Sequence, residues 1–457
     1  MSKPRRGLVL LLLALASHFP GSAIASDAAH ELQLPEEPIE LATLPERPRP
    51  ILEIGNDYLA PVEISEGIAL PTGAVWQPSL LAWGTLRSAM QAKTGAGTDE
   101  AQWANRLDLF GQLSLTATER FVIGLEPFQS GTKFSGYRFG VDGADAEGVG
   151  DVEAGIQTLF FEGDVGELFP RLDRNRWWPL DVGFMVGRVP IVFQDGFLLD
   201  DRMTGVGLVQ NSILAPGTSN LRLSVVTAWD AVNRGNNARG GNTKLSGFSS
   251  EADFLNSTWA LDAVYVDGTK RTDGVVAGVS MIRRIRERLN VTARVLGSYA
   301  SQRETPLLDD GLLGVLSLSL APKGTHNIAY LNVAASYQNY TAAARSADRG
   351  GPLGRMGVLF EAPGLGSIGS PLDNDANRFF AGVVGYQVFF SGGRAQLVLE
   401  AAGRARYAAV RDGTVGVGVR FQHAIGRRAM IRIDGYGGHT KGTHGFVGGR
   451  SELVIKF

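Results

Sequence analysis

From about Leu80 onward, apolar and polar residues alternate in segments of roughly ten to fifteen residues, each closed by turn-forming residues. Trp103, Asn105, Leu107, Leu109, Gly111, Leu113 and Leu115 share one face of such a segment, and Arg106, Asp108, Gln112, Ser114 and Thr116 share the other. Val415, Val417, Val419 and Phe421 alternate with Thr414, Gly416, Gly418 and Arg420, and Ala429, Ile431 and Ile433 alternate with Arg428, Arg432 and Asp434. A period of two marks a β-strand whose faces meet different surroundings. Soluble sheets alternate as well, but their strands run ~5–6 residues, whereas tilted strands that cross a bilayer need ~9–11. No stretch approaches the ~20 uninterrupted apolar residues of a spanning helix. In lipid only helices and closed barrels satisfy every backbone N–H and C=O. The pattern therefore predicts an all-β fold, a transmembrane antiparallel β-barrel.

Clear segments begin near residues 80, 103, 119, 150, 179, 203, 219, 256, 272, 289, 309, 326, 378, 393, 413, 427 and 445, with Arg355 to Glu361 as a less regular eighteenth. Bacterial single-chain barrels have even strand numbers, so the reading is 16–18 strands, with 18 preferred. The tight breaks at Thr118-Glu119, Ser391-Gly392-Gly393 and Ile425-Gly426 read as periplasmic turns. The insertions 129–149, 230–255 and 340–377 read as extracellular loops, although parity leaves the side of 230–255 open.

The two ends of the chain add location to this picture. Lys3, Arg5 and Arg6, the apolar run Leu8 to Ala16, and Ala23 with Ala25 make a signal peptide over 1–25, removed near Ala25. Residues 26–78 hold eight prolines, from Pro35 to Pro78, and ten acidic residues against Arg47 and Arg49. This Pro-rich acidic segment reads as a periplasmic extension. It is a disordered lead-in, a partial plug of the barrel mouth, or a docking site for a periplasmic partner. The barrel then spans 79–457. At the far end, Phe457, Ile455 and Leu453 alternate with Lys456, Val454 and Glu452. An aromatic terminus with apolar residues two and four positions earlier resembles the closing strand of bacterial outer-membrane barrels. That resemblance implies delivery to a barrel-insertion machinery through the Phe457 strand, and residence in the outer membrane of a Gram-negative cell among lipid and lipopolysaccharide.

Composition narrows the chemistry. The chain has no cysteine, so disulfides and thiolate metal sites are excluded. A net charge of −2 argues against a nucleic-acid partner. Cations are mostly arginine, 36 against 8 lysines. A barrel of this size encloses water, so its expected task is passive passage of hydrophilic solutes. Arg294, Arg394, Arg404, Arg406, Arg420, Arg428 and Arg432 fall on polar faces and are the expected anion path. Acids on the same faces, Asp108, Asp262, Glu400, Asp434 and Glu452, would neutralise part of such a ladder. The arginines of the strands near 393–432 stand out as those without matching acids.

One local stretch carries a family likeness. Val186-Gly187-Arg188, Phe193-Gln194-Asp195-Gly196-Phe197-Leu198-Leu199-Asp200-Asp201 and Thr204-Gly205-Val206 resemble the pattern of the alginate-export outer-membrane proteins, with Val189-Pro190 as a departure. The likeness implies an 18-stranded monomer with an arginine-lined passage for an acidic polysaccharide. On chemistry alone, Arg188, Asp195, Asp200 and Asp201 make a candidate constriction loop. A different class of function, an enzyme at the barrel rim, would draw on His439 and His444, whose spacing across a glycine-rich loop fixes no metal geometry. No catalytic, cofactor or metal motif is present, and the reading is a channel rather than an enzyme. An export component gated by a periplasmic partner is the alternative.

Overall fold

In the computed structural model, residues 49–55, 66–95, 99–130, 133–140, 145–150, 155–172, 181–234, 242–268, 273–301, 307–407, 413–443 and 445–457 are described. The leader over 1–25 and much of the Pro-rich segment lie outside the described residues.

Eighteen strands form the wall. They run β1 (Ser79–Gly95), β2 (Glu100–Ser114), β3 (Arg120–Leu125), β4 (Ile156–Asp164), β5 (Val182–Phe193) and β6 (Leu199–Ile213). Next come β7 (Asn220–Asp230), β8 (Lys244–Phe254), β9 (Ser257–Asp267), β10 (Gly274–Ile285), β11 (Leu289–Ala300) and β12 (Gly311–Leu320). The last six are β13 (Ile328–Gln338), β14 (Phe379–Phe390), β15 (Ala395–Arg406), β16 (Gly413–Ile425), β17 (Ala429–Thr440) and β18 (Gly445–Lys456). Each pairs antiparallel with its neighbours in the chain, and β18 closes on β1 from Phe446↔Gly95 to Lys456↔Thr85. Closure leaves no wall strand with an unpaired edge, as lipid requires.

Alternation places large apolar side chains outside. Phe121, Val186, Trp259, Tyr299, Phe380, Val417 and Leu453 are all exposed. Their neighbours in sequence point into the lumen. Short turns at 115–119, 286–288, 391–394 and 426–428 sit at the end that holds Phe457, and the longest connection, 339–378, starts from the opposite, loop end. At the terminal end Leu52–Ile54 pairs with Leu80–Ala82 of β1. This described part of the Pro-rich segment extends the wall rather than entering the lumen.

Two expectations are corrected. The eighteenth strand is β8, inside the insertion that was read as a loop, and Arg355–Glu361 is not a strand. β8 (KLSGFSSEADF) is serine-rich on both faces and shows little apolar alternation. It is held as a strand by full ladders to β7 and β9. Residues 340–377 do not project outward but fold into the lumen.

That inward segment builds a small core inside the barrel. Leu353, Met356, Leu359, Phe360, Leu365 and Leu372 are buried, together with Leu198, Leu199 and Met203 from the tip of the β5–β6 hairpin. The hairpin tip turns at Gln194–Gly196, and its Leu199 and Asp200 pair in parallel with Ala344 and Arg345 of the inward segment. The buried Arg345 joins the two pieces: its guanidinium donates to the Gly196 and Gly350 carbonyls.

Candidate functional site

The inward segment is held to the wall by charges and backbone bonds. On one side, buried Glu400 of β15 accepts from the N–H of Val358 (2.9 Å), the N–H of Leu359 (2.7 Å) and the Tyr330 hydroxyl (2.6 Å). Gly416 and Gly418 of β16 face the segment, and a Cβ at Gly418 would stand 2.9 Å from Leu359 Cδ2. These inward glycines make the room into which the leucine packs. On the other side, Arg87 of β1 donates to the Pro363 carbonyl at 3.0 Å and Gln91 to the Leu365 carbonyl at 2.9 Å. The segment thus lines the wall from β13 round to β2.

Between it, the hairpin tip and β2–β6 lies a cluster of charge. Arg106 meets Asp108 (2.9 Å), Glu126 (3.2 Å) and Asp348 (2.9 Å), and Arg202 also pairs with Glu126. Burial alone would raise the Asp348 carboxyl, but the guanidiniums of Arg106, Arg349 and Arg202 outweigh it and hold the group below its ordinary value. Arg345 is lowered as well, to about 10, but here burial is the cause. Arg349 and Arg355 stand 3.8 and 3.5 Å from the two oxygens of buried Asp200, and their side chains are 51% and 52% exposed. Two guanidiniums facing water therefore share one carboxylate. Towards the terminal end a cavity of about 1200 Å³ opens against β3–β7, lined by Arg120, Glu162, Asp164, Asn211 and Ser224 among others.

The sequence-predicted residues divide. Arg294, Arg404, Arg420 and Arg432 lie on the inner face, but each has an acid. Arg294 pairs with Asp195, and Arg404 and Arg406 both reach Asp373 at 3.0 Å. Arg420 binds Asp434 (2.7 Å) and Glu361 (2.5 Å), and Arg432 lies 3.4 Å from Glu452. Asp373 belongs to the inward segment, which is why Arg404 and Arg406 seemed unmatched in the sequence; Arg420 and Arg432 instead face Asp434 and Glu452 directly across neighbouring strands. Arg394 and Arg428 sit on terminal-end turns, donating to the carbonyls of Ala424 and Arg49. In the hairpin, Asp200 and Asp201 are buried at the tip, where Asp201 accepts from Asn233, Ser346 and the Arg202 N–H. Arg188 stays on β5 and donates to Ile156 and Gln157 of β4, on the strand face of exposed Val186 rather than that of buried Val189.

Arg87, Glu126, Arg202, Asp348, Arg349 and Arg355 belong to the lumen and were not anticipated. The available signal was composition. A solvated loop has no use for the apolar residues Leu353, Met356, Val358, Leu359, Phe360, Leu365, Ile368 and Leu372. His439 is exposed on the outer side of β17, and His444 lies outside the described residues. Among the described residues no group of three metal ligands exists.

No known family profile and no curated protein sequence matches this chain. Solved structures do match. OccK2 (OpdF) of Pseudomonas aeruginosa superposes with a TM-score of 0.53 at 12% identity, over 83% of this chain and 97% of that one. OccAB3 of Acinetobacter baumannii gives 0.53 at 12% identity, over 83% and 99%. A BenF-like porin from Pseudomonas fluorescens Pf-5 gives 0.57 at 10% identity, over 83% and 98%. At such identity the likeness is one of fold, that of an 18-stranded porin barrel. The alginate-export resemblance of residues 186–206 gains no support from these matches.

Proposed function

We propose that the protein is an outer-membrane channel through which hydrophilic solutes pass passively, with a preference for anions, and that it is not an enzyme. The observation that carries this reading is the pair Arg349 and Arg355: half-exposed, always charged, and facing the lumen over the single carboxylate of Asp200. Fixed, water-facing guanidinium on the lumen side lowers the barrier for anions and raises it for cations. Porin-type structural neighbours support the channel class and the outer-membrane location. Export with leader cleavage near Ala25, and insertion through the Phe457 strand, complete the reading.

Conductance of the purified full chain in planar bilayers tests it. Open steps whose reversal potential in a potassium chloride gradient favours chloride are expected. The double variant Arg349→Ala/Arg355→Ala should move that potential toward the cation side. A silent barrel, or a reversal potential that the double variant leaves unchanged, would reject the proposal.

A further inference from the structure

Large side chains stud most of the outer wall, but toward the loop end of β12–β17 it falls into a furrow. Gly382 and Gly403 stand opposite each other on β14 and β15, and Gly314 stands opposite Ala335 on β12 and β13. Phe380 and Val384 flank Gly382 along β14, and Val415 faces Gly403 from β16; all three are exposed and form its banks. Cavities of about 960 and 690 Å³ meet over these glycines. A Cβ at Gly382 or Gly403 would come no closer than 3.8 or 3.5 Å to any neighbour. The furrow is therefore deep because side chains are missing, on backbone that would accept them.

Its rim at the loop end is cationic. Lys441, exposed just past β17, lines it. Arg378 is exposed two residues before Phe380, and its carbonyl accepts from the N–H of Tyr407, whose ring lies 5.8 Å from that of Phe380. Among the described residues Arg378 has no ion pair, and the acids just before it, Asp373 and Asp375, lie against Arg404 and Arg406. We propose that the furrow is a binding site for lipid A, with saturated acyl chains over Gly382 and Gly403 and the two phosphates of the headgroup near Arg378 and Lys441. The inference rests on the outer-membrane part of the reading above. Short turns at the opposite end leave the loop end in the leaflet that carries lipopolysaccharide. Arg378 and Lys441 stand at the loop ends of β14 and β17, three strand spacings or about 14 Å apart. A diphosphorylated disaccharide bridges such a gap, and a lipid with a single phosphate does not. Chains seated in a furrow gain dispersion contacts that a convex wall withholds, and each cation near an anionic headgroup strengthens binding.

The test is native mass spectrometry of the full chain refolded in detergent, with hexa-acylated lipid A or phosphatidylglycerol added at equal concentration. Lipid A should be retained where phosphatidylglycerol is lost. Filling the furrow with Gly382→Leu/Gly403→Leu should abolish retention, and Arg378→Ala/Lys441→Ala should weaken it about tenfold. The filled variant should keep wild-type conductance, because its changes lie on the outer wall. Heat-modifiable mobility on gels checks that each barrel has formed; should the filled variant not form, the cation variant decides. Equal retention of the two lipids, or lipid A held as tightly by a folded variant, overturns the proposal. So does a wild-type dimer or trimer that Gly382→Leu/Gly403→Leu dissolves, which gives the furrow to a second copy of the chain. A conducting barrel that holds no lipid A leaves the channel reading intact, and a silent barrel that holds it rejects the channel reading alone.

Discussion

Two sectors of the same wall have opposite interiors. From β13 round to β2 the inner face is covered by residues 340–377, and its charges lie in buried groups such as Glu452 with Arg87 (2.6 Å), Arg450 (2.5 Å) and Arg432. Around β3–β7 the inner face looks onto a cavity, and its charge pairs, Arg120 with Glu162 and Arg222 with Glu251, remain in contact with water. Outer faces in both sectors carry the same apolar belt. Lipid sets the outward half of the pattern everywhere, while the inward half depends on what lies against it. In the covered sector an arginine is a structural tie, and in the open sector it is a solvated charge.

The sharpest break in this contrast is Glu452→Ala. It leaves three guanidiniums around an empty place in the covered sector and should cost about 3–5 kcal/mol, read as a lower urea midpoint of the refolded barrel. The matching change in the open sector, Glu251→Ala, should cost no more than about 1 kcal/mol. Next in size is Gly418→Val, whose Cβ would press on Leu359. About 1–3 kcal/mol of destabilisation should come with a raised single-channel current, because the inward segment is lifted from the wall. Ser224→Val faces the cavity of the open sector and should stay within about 0.5 kcal/mol with unchanged current.

Proton titration gives the smallest effect. Asp348 has its carboxyl below the ordinary value in the fold, so its attachment to Arg106 is fully present above the unfolded value of ~3.9. It is lost as pH falls through the lowered folded value. The urea midpoint of wild type relative to Asp348→Asn should therefore be level from pH 7 to about 5. The gap should close only in more acidic solution. A gap that closes near neutrality would assign the coupling to another group.

Much of the wall was legible because lipid imposes a strict alternation on every spanning segment. Seventeen segment starts lie within about six residues of observed strands. β8 escaped because Phe248 and Phe254 are the only large apolar residues on its outer face, interrupted by Ser246 and Ser250, so its pairing is shown by its neighbours more than by its own pattern. The candidate site was harder to read. Arg404 looked uncompensated because Asp373 reaches it through tertiary folding, at a sequence separation no local period encodes, whereas the acid of Arg420, Asp434, stands directly opposite on the next strand and needed only the register to be seen. Inward Gly416 and Gly418 were visible as a pattern but had no meaning until Leu359 was placed above them. Arg188 misled for a local reason: proximity in sequence to the hairpin tip does not place a strand residue on the tip's face.

Leu52–Ile54 and the chain's final residues occupy consecutive stretches of one β1 edge, with Phe457 bonded to Gly84 through both backbone groups (2.8 and 3.1 Å). The earliest described part of the polypeptide and its last residue thus meet at the same seam. Without β18 that edge stays open along Thr85–Gly95. An intermediate short of its final strand carries a continuous open edge on β1, the form in which a sheet recruits strangers. Docking of β18 thus seals the ring and hides that recruiting edge in the same step.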